Sequence, residues 1–232
     1  MIEIQKLVSQ PPRNSYAPTW DISIGVATWE EEEKIDKLNQ YLLKKEKEIL
    51  ELNPNDPFMH DGGTGLGYGS VTARFGQYNL FDFENEESTL TDLLTWLRKS
   101  YIMFVEQDGT PIEDLVIVCW YNIMEIGGKI NTHYHGAGPI TYLSGNLHLG
   151  DYNTKTFYQF PFEKEVFHHL QNKRGQVTFF PGYLNHHTDE FMGPGKRLSI
   201  AFDLWTKEEG VPSPLATREF MNKEIANEIR SS

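Results

Sequence analysis

The stretch CWYNIMEIGGKINTHYH, from Cys119 to His135, decides the reading of this chain together with its later partner GQVTFFPGYLNHHTDEFMGPGKR, from Gly175 to Arg197. Side chains at i and i+2 of an extended segment point to the same side, so His133 and His135 are aimed into one space. Two imidazoles aimed together invite a metal ion. A third ligand from a separate strand would complete a facial site with positions left open for substrate or oxygen, and His186, beyond the apolar run Val177 to Phe180, is the candidate. His187, beside it, is expected to point elsewhere. Histidines in strands also make ordinary hydrogen bonds, and that is the alternative for each of these.

Around this pair of stretches, short apolar or aromatic runs alternate with turn-rich segments from Asp114 onward. The runs are Leu115 to Trp120, Ile140 to Leu149, Thr156 to Phe162, Val177 to Phe180 and Leu198 to Trp205. That spacing predicts a β-sandwich or barrel. Upstream, Ile35, Leu38, Leu42 and Ile49 recur at helical spacing, and Thr28 with Glu31 has the form of a capping box, so a helix is expected from near Thr28 to before Pro54. A second helix is expected from Ser88 to Val105, with Leu90, Leu93, Leu94, Leu97, Tyr101 and Phe104 as its apolar stripe. The fold class is therefore mainly β with flanking helices, a jelly roll braced by two N-terminal helices.

The chain of 232 residues is expected to form a single domain. Residues 1–112 would supply an N-terminal arm, helices and support, 113–206 the jelly-roll core, and 207–232 a helical C-terminal tail. Met1 to Ala27, with Pro11, Pro12 and Pro18, reads as an extended arm lying on the domain. The glycine-rich segment Asp61 to Ser70 could be mistaken for a phosphate-binding loop. It runs into strand-like residues from Val71 to Phe83 and has no Gly-Lys-Ser/Thr ending, so it is expected to be a mobile loop with a possible use as a lid.

A net charge of −12 argues against binding to a phosphate backbone, and nucleic acid is a disfavoured partner. One cysteine, Cys119, allows neither a disulfide framework nor a cysteine-based zinc cluster. No leader-like or membrane-length apolar run is evident, so a cytoplasmic protein without membrane contact is expected.

The ordered set Trp120-x-Asn122, Gly128, Asn131, His133-x-His135, Ser144-Gly145, Phe180-Pro181, His186 and Arg197 before Ser199-Ile200-Ala201-Phe202 resembles the Fe(II)- and 2-oxoglutarate-dependent oxygenases of phages and bacteria, distant relatives of the prolyl hydroxylases. The resemblance covers roughly Val116 to Trp205, and Arg74 to Phe81 is similar to the strand that precedes the helix in that family. It implies His133 and His186 as iron ligands and Arg197 as the cation for the far carboxylate of 2-oxoglutarate. A planar guanidinium suits a carboxylate, and imidazole suits ferrous iron. His148 falls near a tyrosine that relatives use for the same carboxylate, and Tyr121 and Asn122 could face the cosubstrate. The implied activity is that of a dioxygenase using Fe(II), 2-oxoglutarate and O2 to hydroxylate a C–H bond, with succinate and CO2 as co-products. A protein or peptide side chain is the leading substrate class, ahead of a small metabolite; for a viral protein the setting would be the host cytoplasm.

His135 stands where that family carries an acid. Either it is the second ligand, or a carboxylate such as Asp151 or Glu125 takes the place; the shared face of His133 and His135 favours the histidine. Three histidines also suit a cupin, which shares the double-stranded β-helix, although the glutamate expected after His135 is missing and Arg197 would have no role. A zinc enzyme and a non-enzymatic β-sandwich interaction module complete the alternatives.

Overall fold

The computed structural model describes residues 1–52, 60–163, 165, 167–207 and 215–231. Ten strands are assigned within them: β1 (Ile2–Val8), β2 (Asp21–Thr28), β3 (Leu115–Met124), β4 (Thr141–His148), β5 (Lys155–Gln159), β6 (Phe167–Gln171), β7 (Gln176–Pro181), β8 (His186–Thr188), β9 (Arg197–Thr206) and β10 (Arg218–Met221). Their pairings are antiparallel. They form a large sheet in the order β1-β2-β7-β4-β9-β3-β10 and a small one in the order β6-β5-β8, consistent with a jelly roll.

Two helices cover the outer face of the large sheet. In α1 (Glu32–Leu50) Ile35, Leu38, Leu42 and Ile49 are buried, as their spacing predicts; Pro54, expected to stop it, lies outside the described residues. In α2 (Thr89–Asp108) the leucine stripe with Tyr101 and Phe104 is buried, and the helix stops at Gly109, whose φ of 77° few other residues adopt cheaply. Each such side chain contributes roughly 1.5–3 kcal/mol by leaving water.

The middle strands of the large sheet are buried on both faces, and alternation divides their residues. From β9, Leu198, Ile200, Phe202 and Leu204 join the core beneath the helices, while Arg197, Ser199, Ala201 and Asp203 take the opposite face. Register brings Trp120, Asn122 and Met124 of β3, and Ser144, Asn146 and His148 of β4, beside that second set. The polar interior is thus a consequence of period-two alternation in three neighbouring strands. Gly145 is required on the packed face, where a Cβ would lie 2.2 Å from the Phe202 ring and 2.6 Å from the Thr178 carbonyl oxygen.

Several local expectations are corrected. The N-terminal arm is two paired strands that extend the large sheet beyond β7. Thr28 caps no helix: it is the last residue of β2, opposite Gln176, and the next amide, of Trp29, donates to the Gly175 carbonyl. The sheet therefore holds Thr28 extended, and α1 begins after Glu31 without a side-chain cap. The strand-like stretch after Ser70 instead forms two 3-10 turns, Val71–Arg74 and Leu80–Phe83. The Ser70 and Asn79 side chains accept amide hydrogens at their starts, a local bonding choice that competes with strand pairing. At the other end, the tail contributes edge strand β10 before α3 (Lys223–Ser231).

Candidate metal centre

His133 and His135 lie in the β3–β4 connection, outside the named strands. Backbone bonds clamp them: His133 and His186 exchange amide-to-carbonyl hydrogen bonds of 3.1 and 2.9 Å, and the His135 amide donates to the Gly182 carbonyl at 2.9 Å. The three rings meet with centroids 4.4–5.1 Å apart. One nitrogen from each lies within 4.8 Å of the other two, and the Nε2 atoms of His133 and His135 are 3.2 Å apart.

The outward-facing nitrogens show which lone pairs point inward. His133 Nδ1 lies 2.8 Å from the Asn131 carbonyl oxygen, His186 Nδ1 lies 3.0 Å from that of Leu184, and His135 Nδ1 lies 2.5 Å from Asp203 Oδ1. Carbonyl and carboxylate oxygens accept, so each imidazole carries its proton on Nδ1 and leaves Nε2 free to bind a metal. Burial, and then the neighbouring His135, lowers His133 to about 4. Burial, and then the other two rings, pushes His186 well below the usual histidine range. At neutral pH both are therefore neutral donors, and this donor set fits a borderline divalent metal such as ferrous iron.

Beyond the histidines lies an inner cavity walled by Asn122, His148, Thr156, Thr188, Arg197 and Ser199. Arg197 is fully buried. Its Nη1 donates weakly to Thr188 Oγ1 at 3.4 Å and to Met124 Sδ at 3.6 Å, its Nε has no partner, and no ion pair reaches it among the described residues. Burial lowers it to about 10, which still leaves it a cation at neutral pH. His148 is buried on the same wall with Nδ1 unpartnered; burial, and then Arg197, hold it neutral. A buried cation that no carboxylate pairs directly, with only the Tyr152 ring at 5.9 Å and the more distant Asp189 to offset it, suits a carboxylate ligand, as does the unsatisfied imidazole beside it.

The structure does not bring every expected residue here. Tyr121 faces the helix side of β3, against the Tyr78 ring, and is absent from the cavity wall. Asn122 reaches the cavity, with Oδ1 accepting from Thr72 Oγ1 at 2.7 Å. Neither proposed substitute acid is present: Asp151 accepts from the Arg174 amide, and Glu125 is exposed 3.9 Å from Lys196. His187 turns away to stack on Phe157, at 4.9 Å and 6°. Tyr158 is core, while Phe157 lies on the outer side of the small sheet with His187 and His169.

Sequence reasoning gave Asp203 and Ser144 no role. The signal for Asp203 was its place six residues beyond Arg197, on the same face of one strand. A second, outer cavity shares His133, His135 and Trp120 and is closed by His60, Asp61, Thr64 and Phe75, so the glycine-rich loop stands over the far side of the histidines.

Residues 118–203 match the family model described as "Putative 2OG-Fe(II) oxygenase". A prolyl-4-hydroxylase from Pseudomonas putida superposes with a TM-score of 0.51 at 13% identity, over 80% of this chain and 93% of that one. The viral collagen prolyl hydroxylase of Paramecium Bursaria Chlorella virus-1, solved with 2-oxoglutarate, superposes with a TM-score of 0.51 at 11% identity, over 79% and 96%. No curated protein matches the sequence. The family match spans the strands and the three histidines that build the site, so over this region the chain is similar to the 2OG-Fe(II) oxygenases. Within the matched residues, His133, His135 and His186 form a group that could hold a metal ion.

Proposed function

We propose that the chain is a dioxygenase that uses Fe(II), 2-oxoglutarate and O2, and that it hydroxylates a C–H bond of a protein or peptide side chain. In this reading His133, His135 and His186 hold the iron through Nε2, and Arg197, helped by His148, binds the distal carboxylate of 2-oxoglutarate. When bound, the metal with 2-oxoglutarate and O2 supplies the oxidant, and succinate and CO2 leave as co-products. The protein's own part is to orient and to exclude water. The backbone clamp between His133 and His186 fixes two donors, the inner cavity buries the cosubstrate, and the outer cavity admits the substrate from the opposite side of the histidines.

The observation that carries this reading is the pairing of three inward-facing Nε2 atoms with a buried Arg197 that has no ion pair among the described residues, in one cavity. A cupin or zinc site would use the histidines and leave the guanidinium without a purpose. An interaction module would explain neither. The preference for a protein or peptide substrate rests on the shared fold with the two prolyl hydroxylases and on Tyr134, 56% exposed at the outer cavity, as a surface for a docked chain. Cytoplasmic residence and phage or bacterial kinship belong to the same reading.

Anaerobic titration of the Fe(II)-loaded protein with 2-oxoglutarate tests it. A weak visible charge-transfer band should grow in the wild type and require more 2-oxoglutarate in Arg197→Ala, at unchanged iron stoichiometry. Equal loss of iron and of 2-oxoglutarate binding in the variant would count against the role given to Arg197.

A further inference from the structure

We propose that Asp203 is a positioning residue for the metal: it acts through His135, fixing that ring's orientation and supplying from behind it the negative charge that an acid at position 135 would have supplied directly. This rests on the ligand reading above. Asp203 sits on β9 facing Ser144 of β4 in register, and only 4% of it is exposed. Its Oδ1 accepts from Ser144 Oγ at 2.6 Å and from His135 Nδ1 at 2.5 Å.

Burying a carboxylate is costly unless a cation or several donors compensate it. Among the described residues no lysine or arginine pairs with Asp203, and its one ionic contact is His135. The charge is therefore directed at the ring whose other nitrogen faces the metal position. Ser144, bonded to the same oxygen, pins the carboxylate so that the imidazole cannot turn. A carboxylate behind a ligating histidine fixes its tautomer and raises its basicity, and loss of such a partner costs about 10- to 100-fold in metal affinity.

The other two histidines lean on backbone carbonyls of Asn131 and Leu184, which orient but carry no net charge. Only His135, the residue in the family's acidic position, is backed by a charge. The arrangement also bears on what an acid substituted at position 135 would meet. It would lie against Asp203, and two carboxylates in contact cannot both be ionised cheaply.

Cobalt(II) is a suitable probe, because its visible spectrum reports coordination without oxygen chemistry. Apo wild type, Asp203→Asn, Ser144→Ala, His135→Asp and the double variant His135→Asp/Asp203→Asn would be titrated with Co(II), with thermal unfolding of each apo protein alongside. Asp203→Asn keeps the shape and one acceptor, so its Co(II) affinity should fall about 10- to 100-fold at similar apo stability. Ser144→Ala should weaken binding several-fold, and it decides the matter if Asp203→Asn does not fold. In the His135→Asp background the effect should reverse, with Asp203→Asn restoring Co(II) binding, which a purely structural role for Asp203 would not produce. Wild-type affinity and spectrum in Asp203→Asn, or in Ser144→Ala should it be the deciding variant, would overturn the proposal while leaving the ligand set intact. Failure of wild type itself to bind Co(II) would instead overturn the ligand reading and this inference with it.

Discussion

Arg197 and Met124 face each other across the β3–β9 register, so the buried guanidinium meets a thioether where a structural arginine would meet a carboxylate. The apo protein therefore bears the cost of a desolvated charge that the Tyr152 ring and the more distant Asp189 offset only in part. Replacing buried ionic groups with packed apolar ones is often neutral or stabilising by about 1–4 kcal/mol. Arg197→Met should accordingly unfold at the same or a higher temperature than wild type in the apo state, yet lose the added stability that 2-oxoglutarate gives the metal-loaded protein. Thermal melts with and without 2-oxoglutarate check both halves. A variant that is less stable when empty and still gains from 2-oxoglutarate would mark Arg197 as structural.

The adjacent pair His186 and His187 offers an internal control. His186 is buried against His133 and Phe180, whereas His187 stacks on Phe157 across the small sheet. Because the His133–His186 bridge is made by backbone atoms, His186→Ala should keep the fold and lose bound iron. His187→Ala should keep iron at wild-type stoichiometry and lose about 1 kcal/mol of stability with the stacked ring. Metal analysis of the two purified variants would show it, and iron retained by His186→Ala would exclude this histidine as a ligand.

The main strands and the histidine cluster were legible because their signals are local. Alternation from Leu198 to Trp205 marks a strand, and His133-x-His135 marks a shared direction. Asp203's place on the Arg197 face of β9 was legible, but its partners were not: Ser144 meets it only because β4 and β9 are neighbours, and His135 only because the β3–β4 connection is clamped to Gly182. The same reason hid β1 and β2: Ile2 and Ala27 are partners only because a sheet edge at β7 was available. Thr28 misled for the converse reason, its capping pattern being genuine but outbid by strand pairing. Tyr121 looked like a site residue from its neighbours in sequence, and the one-residue offset in a strand sent it to the other face.

The glycine-rich loop carries a charge-dependent fastening that reaches the metal position. Asp61 accepts from the Gly63 amide at 3.1 Å and the Gly67 amide at 2.9 Å, which requires the loop to double back through glycines with φ near 80°. Burial alone would raise the Asp61 carboxyl, but the Gly67 and Gly63 amides outweigh it and hold the group below its ordinary 3.8. A carboxyl depressed on folding contributes stability that is present above its unfolded value and is lost as pH falls through the folded one. Asp61→Ala should therefore destabilise the protein at neutral pH, with the difference from wild type shrinking as pH is lowered below 3.8; chemical denaturation at several pH values would measure it, and a pH-independent difference would refute it. The loosening should be felt at the histidines as well. The Thr64 carbonyl accepts the Asn131 amide at 2.8 Å, and the Asn131 carbonyl in turn receives Nδ1–H of His133, so amide exchange at Gly63, Gly67 and Asn131 should quicken together in Asp61→Ala.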